Sequence, residues 1–190
     1  MGIATFKEKM KWAKRLIYFD ENNYLREKAR DRHKIQALIN EAEQLFAKSE
    51  ESSERYYLAG TMGNLYRVIG KLNRSIGYLN VSIQIAIEED DPIKEMISKI
   101  RLGEALKYAN KHQKALGLFN EAIQMAVEHE PFYLDFAYQH KGKCLMEIGK
   151  YEEALEALEE AWVIRKSKQN AELLESTRQA IALLTKQLQQ

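Results

Sequence analysis

The sequence predicts an all-α fold, a solenoid of antiparallel helix pairs closed by capping helices. Three observations carry this expectation. The chain of 190 residues is 45% hydrophobic and 30% charged with only two prolines, a mixture that favours packed helices over disorder or sheet. Glycines recur at positions 63, 103 and 142, in steps of 40 and 39. Around each glycine the apolar residues follow helical spacing in two runs separated by a short break.

At the N-terminus, Ile3, Phe6, Met10, Ala13 and Leu16/Ile17 form one helical stripe, while Trp12 and Phe19 fall off it. Asp20 to Arg32 reads as either a loop or a degenerate helix, and no strand is expected anywhere. Asn40-Glu41-Ala42-Glu43-Gln44 aligns with Asn120-Glu121-Ala122-Ile123-Gln124, so residues 1–50 read as a helical cap or a degenerate repeat.

Residues 51–169 hold three helix-pair repeats. In the central unit, Ile97, Ile100, Leu102, Ala105, Leu106 and Ala109 give the first helix. Asn110-Lys111-His112 breaks it, and Ala115, Leu118, Phe119, Ala122, Ile123 and Ala126 give the second. Gly70 and Gly149 stand at the matching break, where a left-handed residue closes a helix cheaply. Gly63, Gly103 and Gly142 should let the paired helix approach closely, with Phe119 and Leu158 filling between small residues. Residues 170–190 form one amphipathic capping helix with the stripe Leu173/Leu174, Thr177, Ala180/Ile181, Leu184 and Leu188.

The small–large–small pattern resembles the tetratricopeptide repeat (TPR). Leu102-Gly103 matches its Leu-Gly pair, Tyr66 its Tyr, and Tyr138 stands where its Trp would be. Met62 and Lys141 replace the Leu, Ser75 and Ser82 replace two alanines, and the terminal Pro has no counterpart. The period near 40 exceeds the usual 34, and repeats this long are similar to those of bacterial TPR regulators and kinesin-light-chain-like modules. The resemblance implies a right-handed α-solenoid that binds other proteins and is not an enzyme.

The residues give little support to other chemistry. The net charge of +1 provides no global attraction to nucleic acid or membrane. Locally, residues 1–34 carry ten Lys/Arg against five Asp/Glu, and residues 147–175 four against eight. Both read as solvated helix faces. No apolar run approaches a membrane-spanning length. The glycines form no phosphate-binding loop, and the four histidines lack metal-ligand spacing with Cys144 or one another. Cys144 itself falls on a packing face, as a buried thiol. A lone cysteine fits a reducing compartment, and with no export signal the expected location is cytoplasmic. No cofactor, metal or nucleic acid is expected.

In TPR folds the first helices line a concave groove, so the resemblance implies the candidate partner-binding residues. These are Tyr57, Gly60, Asn64, Arg67 and Val68 from the first unit, and Ile97, Ile100, Arg101, Glu104, Lys107 and Tyr108 from the second. The third unit supplies Phe136, Gln139, His140, Lys143, Met146 and Glu147. Tyr108, Phe136 and Met146 are expected as apolar anchors among mixed charges, for a protein or peptide carrying both charge and apolar side chains. Cochaperones that clamp an acidic tail use a particular Lys, Asn and Arg set. Here only Asn64 matches it, since Gly60, Ile97 and Phe136 occupy places needing polar or basic groups. The alternative is self-association through Trp12, Phe19 or the last helix, as a structural homo-oligomer.

Overall fold

The structure is a computed structural model, and it describes residues 2–189. The helices are α1 (Ile3–Ala13), α2 (Arg32–Lys48), α3 (Ser52–Val68), α4 (Leu72–Glu88), α5 (Pro92–Tyr108), α6 (His112–Glu128), α7 (Leu134–Glu147), α8 (Tyr151–Ser167) and α9 (Ala171–Leu188). Each packs on its neighbours in sequence, from α2 to α9, and α3, α5 and α7 also touch one another side by side. This is a helical solenoid of the TPR type, with α3/α4, α5/α6 and α7/α8 as its pairs.

The repeated glycines are the points of closest helix approach. A Cβ built on Gly63 would lie 2.5 Å from Leu79 Cγ, one on Gly103 2.5 Å from Phe119 Cε1, and one on Gly142 2.7 Å from Leu158 Cγ. The large residue of each second helix therefore sits in the notch that the glycine leaves in the first. The serines at alanine positions are buried but satisfied. Ser75 Oγ donates to the Gly63 carbonyl at 2.7 Å, and Ser82 Oγ pairs with Ser98 Oγ at 2.8 Å. Hydroxyls thus fit the interior because each has a partner.

The breaks inside the pairs follow one scheme. Gly70 (φ 78°) and Gly149 (φ 76°) are left-handed, and Asn110 (φ 57°) takes the same conformation in the central pair. The following N–H then bonds back five residues, from Lys71 to Tyr66, Lys111 to Leu106 and Lys150 to Leu145, satisfying carbonyls that the helix end would otherwise orphan. Between pairs, Asp91 caps α5 by accepting from Lys94 N at 2.9 Å, with Pro92 as its first residue. Asn170 caps α9 in the same way.

One expectation fails. Residues 17–29 form an antiparallel β-hairpin, β1 (Ile17–Asp20) with β2 (Arg26–Ala29), pairing Ile17 with Ala29 and Asp20 with Arg26. The segment is neither loop nor helix, and the fold is not free of strands. Its tight connection is a 3-10 turn, Glu21–Asn23, closed by Asp20 accepting from Asn22 N at 3.1 Å. Tyr24 and Leu25 follow at φ 51° and 55°. Two bulky residues in the left-handed region are uncommon, and tertiary contacts hold them: Leu25 is buried with Leu145, Met146 and Leu158. A second correction concerns α9, whose buried stripe is Thr177, Ala180 and Leu184, while Leu188 is exposed. In α1, Phe6 and Ala13 are buried and Trp12 is exposed.

Candidate functional site

Helices α3, α5 and α7 present their inner faces to a chamber of about 850 Å³. Of the sequence-derived candidates, Asn64, Arg67, Ile100, Arg101, Glu104, Lys107, Tyr108, Phe136, Gln139 and Lys143 all line it, as do Val68, Ile97 and His140. Tyr57 does not. It packs in the core shared with α1, with Lys7 over its ring at 4.9 Å. Met146 is fully buried, in the apolar cluster that also holds Leu25 of the hairpin, so it offers no anchor surface.

The rest of the wall was not foreseen. Ile17, Phe19, Leu25 and Glu27 of the hairpin roof the chamber, Met10 and Lys14 close one end, and Leu173, Ser176 and Gln179 of α9 close the other. The hairpin is held by charge. Arg26 Nε donates to Glu147 Oε1 at 3.0 Å, and its Nη1 and Nη2 donate to the carbonyls of Tyr108 and Lys107 at 3.3 and 3.2 Å. Arg67 Nη2 donates to Glu27 Oε2, and the Glu27 N–H donates to the Tyr108 hydroxyl. Tyr108 is thus engaged by the hairpin, its ring also facing the guanidiniums of Arg26 and Arg67 at 5.0 and 4.7 Å; it is a strut more than a free anchor. The sequence signal for the hairpin was Ile17-Tyr18-Phe19, a run of β-formers before the turn residues Asp20 to Asn23.

The roof buries charges that would otherwise face water. Arg67, Lys107, Gln139 and Lys143 are 5% exposed or less. Arg67 lies between Glu27 and Glu104, the latter at 3.5 Å. Lys107 Nζ stands 3.6 Å from Glu147, which it shares with Arg26 and with His112 Nε2 at 3.0 Å. Arg165 Nε meets Asp135 at 2.7 Å, and Asp135 also holds Lys168. Among the described residues that line the chamber, six cations (Lys14, Arg67, Arg101, Lys107, Lys143, Arg165) stand against four carboxylates (Glu27, Glu104, Glu172, Glu175). Of the buried cations among the described residues lining it, Arg67, Lys107 and Arg165 have ion pairs and Lys143 has none. No carboxylate of the described residues lies within 4.0 Å of its Nζ, and the Phe19 ring faces it at 5.0 Å.

The titration behaviour follows this geometry. Burial, and then Lys107, push the Lys143 ammonium down to about 8. Burial and the cations Lys107, Lys143, Arg67 and Arg165 hold the His140 imidazole well below its usual value, so it is neutral. Burial opposes the charge of Glu147, but Arg26 and Lys107 outweigh it and keep its carboxyl below the usual range. Among the described residues five polar atoms are buried without a hydrogen-bond partner: Asn64 Oδ1, Arg67 Nε and Nη1, Gln139 Oε1, and His140 Nδ1, which stands 3.3 Å from Glu104 Oε1 without the geometry of a hydrogen bond. All five belong to residues lining the chamber. Arg101, which is not buried, occupies the slot that Gly60 leaves; a Cβ there would fall 2.6 Å from Arg101 Nη1.

Cys144 is buried, and its thiol is pushed up to about 11 by burial, as suits an inert core residue. Among the described residues no group of three or more His, Cys, Asp or Glu side chains could hold a metal ion, and no helix is long and apolar enough to cross a membrane.

No family model matches the sequence, and no curated protein does. Solved structures share its fold. A Rap protein complexed with competence and sporulation factor superposes with TM-score 0.73 at 17% identity, over 83% of this chain and 45% of that one. The apo form of RapI gives 0.65 at 17%, over 80% and 57%. A kinesin light chain from Podosopora anserina with nearly identical TPR-like repeats gives 0.59 at 16%, over 96% of both chains. The chain spans about half the length of the two Rap proteins. These similarities establish the TPR-type repeat fold.

Proposed function

We propose that this chain is a protein-interaction module, not an enzyme, and that the chamber between α3, α5, α7 and the hairpin receives a peptide or chain segment of a partner. The observation carrying this reading is the convergence of five buried polar atoms without a hydrogen-bond partner on a chamber that also exposes Ile97, Phe19 and Phe136. Native interiors pair nearly all such atoms, and an apolar cavity with a few convergent polar groups is the usual form of a binding site. The complex of a similar Rap protein with competence and sporulation factor supports the same reading. The single buried thiol fits a reducing, cytoplasmic setting.

A displayed library of random peptides, selected on the full chain, tests this. Selected peptides should lose about tenfold or more in affinity on Phe136→Ala or Arg101→Ala, measured by calorimetry. Failure to select any peptide, or binding indifferent to both changes, would overturn the chamber as the site. Self-association is the second reading, favoured by Trp12, which is 51% exposed. Light scattering that gives a dimer in the parent and a monomer in Trp12→Ala would select it.

A further inference from the structure

The chamber's chemistry narrows what it takes, on the basis of the binding reading above. Among the described residues, its unpaired donors include the Nζ of Lys143, the Nε and Nη1 of Arg67 and the Arg101 guanidinium, and its unpaired acceptors include Asn64 Oδ1 and Gln139 Oε1. The orientation of Gln139 is fixed by its own Nε2, which donates to the Ser176 carbonyl at 3.5 Å. Lys143 is 5% exposed, and no carboxylate of the described residues lies within 4.0 Å of its Nζ. An ammonium on a side chain so largely withdrawn from water, with no ion pair, is costly, and Met there would avoid that cost. A residue that works against stability without a structural partner is the kind found where a ligand completes the site.

We propose that the chamber holds a subsite for an oxyanion, a carboxylate or a phosphate, with Lys143 as its counter-charge and with Asn64 and Gln139 accepting from N–H groups on the same ligand. The oxyanion supplies the charge missing from the excess of cations over carboxylates, and the apolar walls from Phe19 and Phe136 fit a small apolar body beside it. This subsite is not the acidic-tail clamp of cochaperones. Ile97 and Phe136 stand at two of that clamp's positions, and Lys143 lies two helical turns along α7 from Phe136, toward the hairpin.

The test uses the full chain and three probes at millimolar concentration: N-acetyl-leucine, its uncharged relative N-acetyl-leucinamide, and inorganic phosphate, each against chloride at equal ionic strength. Saturation-transfer NMR reads binding, and the thermal midpoint reads its effect on the fold. N-acetyl-leucine, phosphate or both should bind saturably and raise the midpoint of the parent, and the one that does identifies the source of the oxyanion. The amide should bind at least about tenfold more weakly, the scale set by a charge-assisted contact. Lys143→Met should melt higher than the parent and lose the response to both anions, while Lys143→Arg should keep it. Lys143→Gln provides the same comparison should the Met variant misfold. Equal binding of acid and amide would overturn the oxyanion subsite while leaving the chamber as a binding site. An undiminished anion response in Lys143→Met and Lys143→Gln, or no saturable binding of either anion, would overturn it as well. Failure of the broader reading shows instead as the absence of any selected peptide.

Discussion

Arg26 of the hairpin and Glu147 at the end of α7 are joined by paired hydrogen bonds although they lie 121 residues apart. Glu147 has a side chain only 2% exposed, so its charge depends on the partners it finds. Arg26→Ala should destabilise the protein by about 3 kcal/mol, the scale of a broken buried pair, since Lys107 at 3.6 Å and His112 compensate only in part. Denaturant unfolding of parent and variant gives the value. A change under about 0.5 kcal/mol, the range of ordinary surface substitutions, would mean that the pair does not hold the hairpin.

The repeat glycines make a steric prediction. Gly103→Ala should cost about 1–3 kcal/mol, because the new Cβ meets Phe119 at 2.5 Å. Phe119→Leu should recover part of that loss in the double variant, and a thermodynamic cycle built from the four proteins measures the coupling.

Stability should respond to alkali in a defined direction. The Lys143 ammonium sits at about 8 in the fold against 10.5 unfolded. The unfolded chain therefore binds more protons between these values, and this group makes stability rise as pH increases from about 8. Lys107 and Arg165 depress it, and Glu104 and Glu27 oppose them. Tyrosines act the other way at higher pH: burial raises Tyr78 to about 12, so its contribution is lost above about 10. Comparing parent with Lys143→Met between pH 7.5 and 9.5 isolates the lysine, and the variant should lack the rise.

At the other end of the stack, removing residues 170–190 should cause aggregation or loss of cooperative unfolding. The truncation strips Arg165 Nη1 of Thr177 and Leu173, at 2.9 and 3.1 Å, and uncovers the apolar face that meets Ala180 and Leu184. Light scattering and a melt check this. A truncated chain that stays monomeric and melts like the parent would remove α9 as a cap.

Arg101 separates site from scaffold. It forms no ion pair among the described residues and only fills the slot beside Gly60. Arg101→Ala should therefore change stability by less than about 0.5 kcal/mol while weakening a selected peptide. Tyr108→Ala should lower stability as well, because it releases Glu27 and the faces of two guanidiniums.

The helix pairs were legible because they follow from local rules. Gly103 and Phe119, or Gly142 and Leu158, lie 16 residues apart on adjoining helices, and their small and large volumes repeat along the chain. The hairpin was not, because its strands are four residues each and its turn carries Tyr24 and Leu25 in a conformation their side chains disfavour. What holds it, Arg26 to Glu147 and Glu27 to Arg67, is invisible to any local window. The same gap explains the site. A helical frame says that Arg67, Lys107 and Lys143 face one side, and they do. It cannot say that the side is roofed, so surface charges on paper are interior charges in the fold.

A stack of repeats that touch only their neighbours unfolds piecemeal, and each unit can form as soon as it is made. The hairpin changes that. Its partners in α3, α5 and α7 are spread over the whole array, so its docking must wait until the last of them, near residue 147, has left the ribosome and folded. During synthesis the hairpin then settles after α3, α5 and α7, although it is made before them. Once seated, it ties the loss of any one repeat to the loss of its own contacts, and an array that could fray from either end behaves as a single cooperative body. Hydrogen exchange should show this as near-equal protection of α3, α5 and α7 in the parent and graded protection in Arg26→Ala.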